Sequence, residues 1–235
     1  MRLFRPGSVL MSTTTLLVGL QFGASGADTS LEATLARIDK AAATFKGLRA
    51  DLRKVSHLDL INEDTVDTGT IVVKVPKPHD SHILIDLKQP DAKRVLIGAT
   101  KVEFYTPQSN VVTEYDLTKE NRAMAEQGLL LGFGSNSREL RGAYTIKLGG
   151  AEAVAGQKTV RIELIPNSKE MAVHFPKFEL WVSDETGLAV QQKIHTGGGD
   201  YLLATYTNMR IDPNIPESDV KLNLPRNVHR ERPQK

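Results

Sequence analysis

The sequence predicts a mainly β protein with accompanying helices (α+β): a single curved antiparallel sheet that forms an incomplete barrel, with helices packed in its concave mouth as a lid. Three observations point there. From Leu48 onward the apolar period is close to two, in β-branched runs joined by short turn-rich connections, the pattern of an up-and-down meander. An amphipathic helix precedes the strands and a run of helix formers interrupts them, so apolar helical faces need a sheet to cover. No Pro/Ser-rich linker divides the two strand blocks, which favours one sheet of about ten or eleven strands, and open twisted sheets of that size curl.

Residues 1–27 read as a secretory signal peptide. Arg2 and Arg5 form a basic start, an apolar core runs from Val9 to Leu20 around Ser12 to Thr15, and Ala24 to Ala27 offer small residues for cleavage. Cleavage near Ala27 removes two arginines and no acids, taking the net charge from +2 to zero. Such a balance favours neither nucleic acid nor an anionic membrane as a partner. The chain has no cysteine, so it carries neither a disulfide nor a lipidated cysteine, and its stability must come from core burial. Residues 28–225 are expected to form the half-barrel domain and residues 226–235 a basic C-terminal tail.

Leu31, Leu35, Ile38, Ala42 and Phe45 recur at helical spacing, with Thr29 and Glu32 placed as a capping box and Gly47 as the stop. Strands follow at Thr70 to Val75, Ser81 to Leu87, Arg94 to Ala99, Lys101 to Tyr105 and Val111 to Tyr115. Asn62 to Asp67, Pro76 to Asp80, Gln89 to Asp91 and Pro107 to Asn110 supply the intervening turns. Helix formers run from Lys119 to Gln127. After them, Leu129, Leu130, Leu131 and Phe133 alternate with Gly128, Gly132 and Gly134, a composition unfavourable to a stable helix. This segment either plugs the core under a loop or serves as an apolar lid. Strands return at Tyr144 to Leu148, Thr159 to Pro166, Phe178 to Val182, Leu188 to His195 and Tyr201 to Arg210. The tail residues Arg226, Arg230, Arg232 and Lys235 read as an unstructured terminus, with contact to lipid headgroups or an acidic partner as the alternative.

The inventory of reactive groups is thin. There is no thiol, no Gly-x-Ser-x-Gly elbow, no P-loop and no dinucleotide fingerprint. His79 and His82 flank Asp80 at a spacing two imidazoles need for one ion, but no third ligand lies near them and a solvated turn explains them. The acids Glu63, Asp64, Asp67, Asp184 and Glu185 sit in turns, which do not separate carboxyl pKa values as acid/base catalysis requires. Trp181 alternates with Leu180 and Val182 and is either a packing anchor or part of a ligand groove. No catalytic residue, metal site or cofactor is expected.

The run Gly69-Thr70-Ile71-Val72-Val73-Lys74-Val75-Pro76, then Gln89-Pro90-Asp91, Phe104-Tyr105-Thr106-Pro107 and Val111-Val112-Thr113-Glu114-Tyr115, resembles the first half of the LolA family of outer-membrane lipoprotein-sorting proteins. Leu180 to Leu188, Tyr206-Thr207-Asn208, Ile215-Pro216 and Leu222-Asn223-Leu224-Pro225 resemble its tail. The resemblance implies an unclosed barrel with a helical lid and a cavity for acyl chains. It implies a monomeric periplasmic carrier of lipid or lipidated protein, passing between an inner-membrane releasing complex and an outer-membrane acceptor. A sensor module of the same fold, similar to the envelope-stress regulators, is the alternative. On this reading cavity and lid are lined by Leu52, Val73, Val75, Ile83, Ile85, Leu87, Phe104, Leu129, Leu130, Phe133, Ile162, Leu164 and Trp181. Val75 stands where the family places the Arg that latches its lid.

Overall fold

The computed structural model describes residues 29–77, 80–118, 131–211 and 214–233. Its strands are β1 (Gly47–Leu58), β2 (Glu63–Lys77), β3 (Asp80–Gln89), β4 (Lys93–Ile97), β5 (Lys101–Thr106), β6 (Val111–Asp116), β7 (Tyr144–Val154), β8 (Gln157–Pro166), β9 (Lys177–Ser183), β10 (Ala189–Gly197), β11 (Asp200–Ile211) and β12 (His229–Glu231). They form one sheet in the order β12-β6-β5-β4-β3-β2-β1-β11-β10-β9-β8-β7. Neighbours are antiparallel except β12, which runs parallel to β6. The two meanders join where β1 lies between β2 and β11, and the outer strands leave the curved sheet unclosed. At Gly69 the register of β2 on β3 shifts, and the backbones approach so closely that any Cβ would collide with the Asp86 carbonyl.

Helix α1 (Leu31–Thr44) starts one residue later than the expected cap. Ser30, not Thr29, accepts the Ala33 N–H on its hydroxyl at 3.2 Å. The helix ends at Phe45 in extended backbone, and Gly47, expected as the stop, opens β1. Burial of the Phe45 ring takes the chain out of the helix before the glycine is reached. Two further short helices are α2 (Ser137–Ala143), with a full capping box from Asn136 and Glu139, and α3 (Lys169–His174), capped by Ser168. Asp39 of α1 accepts from the Ser137 N–H at 2.6 Å and its hydroxyl at 2.7 Å, tying α1 to α2.

Pairing registers sort the side chains onto two faces. On the concave face, Leu48, Ala50, Leu52, Ile71, Val73, Ile83, Leu87 and Ile97 form one buried cluster with Phe45, Phe133, Leu188 and Tyr206. A second cluster joins Ile162, Leu164, Phe178, Leu180 and Val182 to Leu35 and Ile38 of α1, Leu131, Leu140 and Met171. The glycine-rich segment thus plugs the core at its described end, since Leu131 and Phe133 are 2% and 1% exposed. Gly132 makes this possible: its φ is +84°, and a side chain there would strike the Ala189 Cβ. The Gln192 amide donates to the Leu131 carbonyl and accepts the Tyr206 hydroxyl at 3.1 Å, so the plug hangs on a buried polar relay. Burial pushes the Tyr206 phenol far above its ordinary pKa and keeps it a donor. The expected helix at 119–127, together with Leu129 and Leu130, lies outside the described residues.

The C-terminal tail, expected to be unstructured, instead supplies β12. His229 to Glu231 pair with Val111 to Thr113, and Asn110 receives the His229 N–H at 3.0 Å. Two directly opposed carboxylates on the convex face, Glu103 and Glu114, explain the docking. Each is 6% exposed, and such a pair repels unless cations neutralise it. Arg230 binds both, Arg232 chelates Glu114 through two nitrogens at 3.1 Å, and Lys101 reaches Glu103 at 3.0 Å. Burial raises the Glu114 pKa, but these cations outweigh it and hold the carboxyl below its ordinary value.

Candidate functional site

The concave face is apolar along its length but unequally covered. At its centre and over β7–β10 it is sealed by Phe45, Phe133 and α1. Over β4–β6 the described residues leave it open. Here the registers place Val95, Phe104 and Thr113 side by side, and Ile97, Val102 and Tyr115 beside them. Phe104 and Tyr115 are 37% and 47% exposed and meet edge to face, with ring centres 5.7 Å apart. Together with Lys93, Thr106 and Thr113 they line a shallow groove of about 490 Å³, within the size range of small-molecule sites, roughly 300–1,000 Å³.

The expected cavity residues divide accordingly. Leu52, Val73, Ile83, Leu87 and Phe133 are core, packed by the protein's own side chains, and Val75 and Ile85 lean on the same cluster. Ile162 and Leu164 are fully buried in the second cluster. Of the eleven that lie among the described residues, Phe104 alone lines the open groove. Trp181 lies on the opposite face from Leu180 and Val182, packed with Val154 and Val190. Lys93, Thr106, Thr113 and Tyr115 were not among the expected site residues. Their signal is parity: Thr106 shares Phe104's face along β5, and Thr113 faces it directly across the β5–β6 turn.

The convex face carries charge. The Glu179 carboxylate accepts from Lys177 and Arg161 at 2.9 Å each and lies 2.7 Å from the His195 ring. Burial pushes its pKa up, but the hydrogen bonds and charges of Lys177 and His195 outweigh that and bring it down to about 2. It is therefore a permanent anion at neutral pH, in structural ion pairs, and unsuited to passing protons. Of the acids expected in turns, Asp64 and Asp67 lie instead in β2, which pairs with β1 from Glu63 onward, and they face His57 at 2.7 Å and Lys54 at 2.7 Å; Asp184 pairs with Arg37 at 3.1 Å. His82 lies 3.3 Å from Asp80, and no three His, Asp or Glu side chains converge as a metal site among the described residues.

No protein-family model matches the chain, and no curated protein matches it. Among solved structures, a conserved uncharacterized protein from Thermus thermophilus superposes with a TM-score of 0.53 at 11% identity, over 86% of this chain and 98% of that one. MucB superposes with a TM-score of 0.50 at 15% identity, over 85% of this chain, which spans 64% of MucB's length. A LolA superfamily protein from Nitrosomonas europaea aligns at a TM-score of 0.39 and 11% identity, over 82% of this chain and 97% of that one. The chain shares the fold of the first two, an open curved sheet with helices packed on its concave face.

Proposed function

We propose that this protein is an exported periplasmic carrier that shelters the acyl chain of a lipid or lipidated protein against the concave face of its sheet. One observation carries the reading: the apolar face sealed by α1 and Phe133 continues beyond Ile97 to β5 and β6, where none of the described residues covers Phe104 and Tyr115. At about 25 cal/mol per Å², an acyl chain that removes ~200 Å² of apolar surface from water there gains about 5 kcal/mol. That suffices for retention, and release then needs a partner, an inner-membrane complex on loading and an outer-membrane acceptor on delivery. The arginine latch implied by the family resemblance has no counterpart at Val75, which packs on the first core cluster and donates its N–H to Lys46 at 2.8 Å. Protein purified from the periplasm should release lipid or acylated peptide on solvent extraction, and stripped protein should take up an environment-sensitive fluorescent acyl probe. Failure of both rejects the reading.

A sensor that acts through a protein partner is the second reading. The β1–β2 tip favours it, with Leu58, Leu60 and Ile61 exposed at 49%, 95% and 60% on a turn fixed by Asp200. It predicts that Leu60→Ser with Ile61→Ser abolishes a stable complex with that partner and leaves acyl-probe uptake intact.

A further inference from the structure

We propose that the groove over β4–β6 selects an anionic amphiphile, a single apolar chain ending in a carboxylate or phosphate, with Lys93 pairing the anion and Phe104 and Tyr115 holding the chain. The proposal rests on the acyl-chain reading above and adds the head group and its direction.

The pairing of β4, β5 and β6 puts nine side chains on the concave face: Lys93, Val95 and Ile97 from β4, Val102, Phe104 and Thr106 from β5, and Val111, Thr113 and Tyr115 from β6. Only Lys93 among them is charged. The carboxylates of these strands and of β3 (Asp80, Asp86, Glu103, Glu114 and Asp116) have the parity of the other face, where Arg94, Lys88, Lys101 and the C-terminal arm neutralise Asp86, Glu103 and Glu114. Lys93 forms no ion pair or hydrogen bond among the described residues. A lone ammonium beside an aromatic floor has a specific complement, an anion joined to apolar surface.

The order of side chains along the strands gives the site polarity. Lys93 and Thr106 occupy one end, Val95 and Phe104 the middle, and Ile97, Val102 and Tyr115 the other end. At about 3.3 Å per residue, Lys93 and Ile97 stand roughly 13 Å apart. The ammonium and the Thr106 hydroxyl can therefore meet a head group while the chain runs across Phe104 towards Tyr115. A neutral chain would meet the same floor and leave Lys93 without a partner.

Calorimetric titration of stripped full-length protein at pH 8 with dodecanoate, dodecyl phosphate and dodecanol tests this. One or both anions should bind roughly fivefold more tightly than the alcohol, the scale of a partly exposed ion pair. Preference confined to one anion identifies carboxylate or phosphate as the head. Lys93→Gln, at an exposed position that folding tolerates, should remove the preference, bringing the affinity for the anions to that for dodecanol. Phe104→Ala with Tyr115→Ala should weaken all three ligands alike. Equal binding of anion and alcohol by the wild type, or a preference that survives Lys93→Gln, overturns the inference and leaves the acyl-chain reading standing. Binding of no ligand overturns both.

Discussion

Phe133→Ala tests whether the glycine-rich segment is core. The ring is 1% exposed, packs edge to face on Tyr206 at 5.0 Å and lies 6.4 Å from the Phe45 ring. Truncation loses the transfer free energy of the ring and leaves a cavity that Tyr206, held by Gln192, cannot collapse into. Buried Phe→Ala changes of this kind cost about 3–5 kcal/mol. In a domain of this size each kcal/mol moves Tm by roughly 2–4 °C, so a loss of ~4 kcal/mol lowers it by about 8–16 °C. Urea unfolding followed by Trp181 fluorescence should show the same loss as a lower midpoint at unchanged slope. A loss under about 1 kcal/mol would mean that the segment is only loosely attached, and the plug described above would be wrong.

Other consequences follow from the ion pairs and the backbone. The Glu179 pKa lies at about 2, below its ordinary 4.5, so its stabilisation is complete above that ordinary value and fades as pH falls from there towards 2. Glu179→Gln should cost up to about 3 kcal/mol at pH 7 and flatten the acid limb of the stability curve; an unchanged limb would contradict this. Deleting residues 226–235 leaves Glu103 and Glu114 with Lys101 alone, an expected loss of about 1–3 kcal/mol at pH 7, discounted because the arginines are half exposed or more. Because Glu114 is held below its ordinary pKa, the gap between full-length and truncated protein should narrow as pH drops below 4.5; a gap constant with pH in urea titrations would refute the latch. Gly132→Ala should destabilise by more than 1 kcal/mol. By contrast, Gly142→Ala, with open space around its Cβ inside α2, should stabilise by about 0.4–1 kcal/mol in thermal melts.

Most strands and turns were legible in the sequence because the β-branched runs alternate cleanly and most connections carry their own Pro, Asn, Asp or Gly; the expected turn at Asn62 to Asp67 is instead the start of β2, where polar residues pair with β1. α2 and α3 were not, since helices of seven and six residues are too short for a period to emerge, although Asn136 with Glu139 and Ser168 before α3 were readable caps. The docking of the tail depends on Glu103 and Glu114, more than a hundred residues away, whose juxtaposition exists only once β5 and β6 have paired. Trp181 shows where parity runs out. Alternation separates it from Leu180 and Val182, but β9 is buried on both faces, so the period alone cannot say which one meets the helices. Phe104 was legible as apolar and in strand. That it remains exposed, with Lys93 beside it, depends on how far Phe45 and Phe133 reach across the sheet, which no local pattern encodes.

The most direct test of the carrier reading is photo-crosslinking of the stripped protein with a diazirine-labelled fatty acyl probe, followed by peptide mapping. Adducts should concentrate on β4–β6 at concave positions, with Phe104 and Tyr115 foremost, and fall when unlabelled dodecanoate competes. Adducts spread over the convex face around Trp181 and Glu179, or insensitive to competitor, would contradict it.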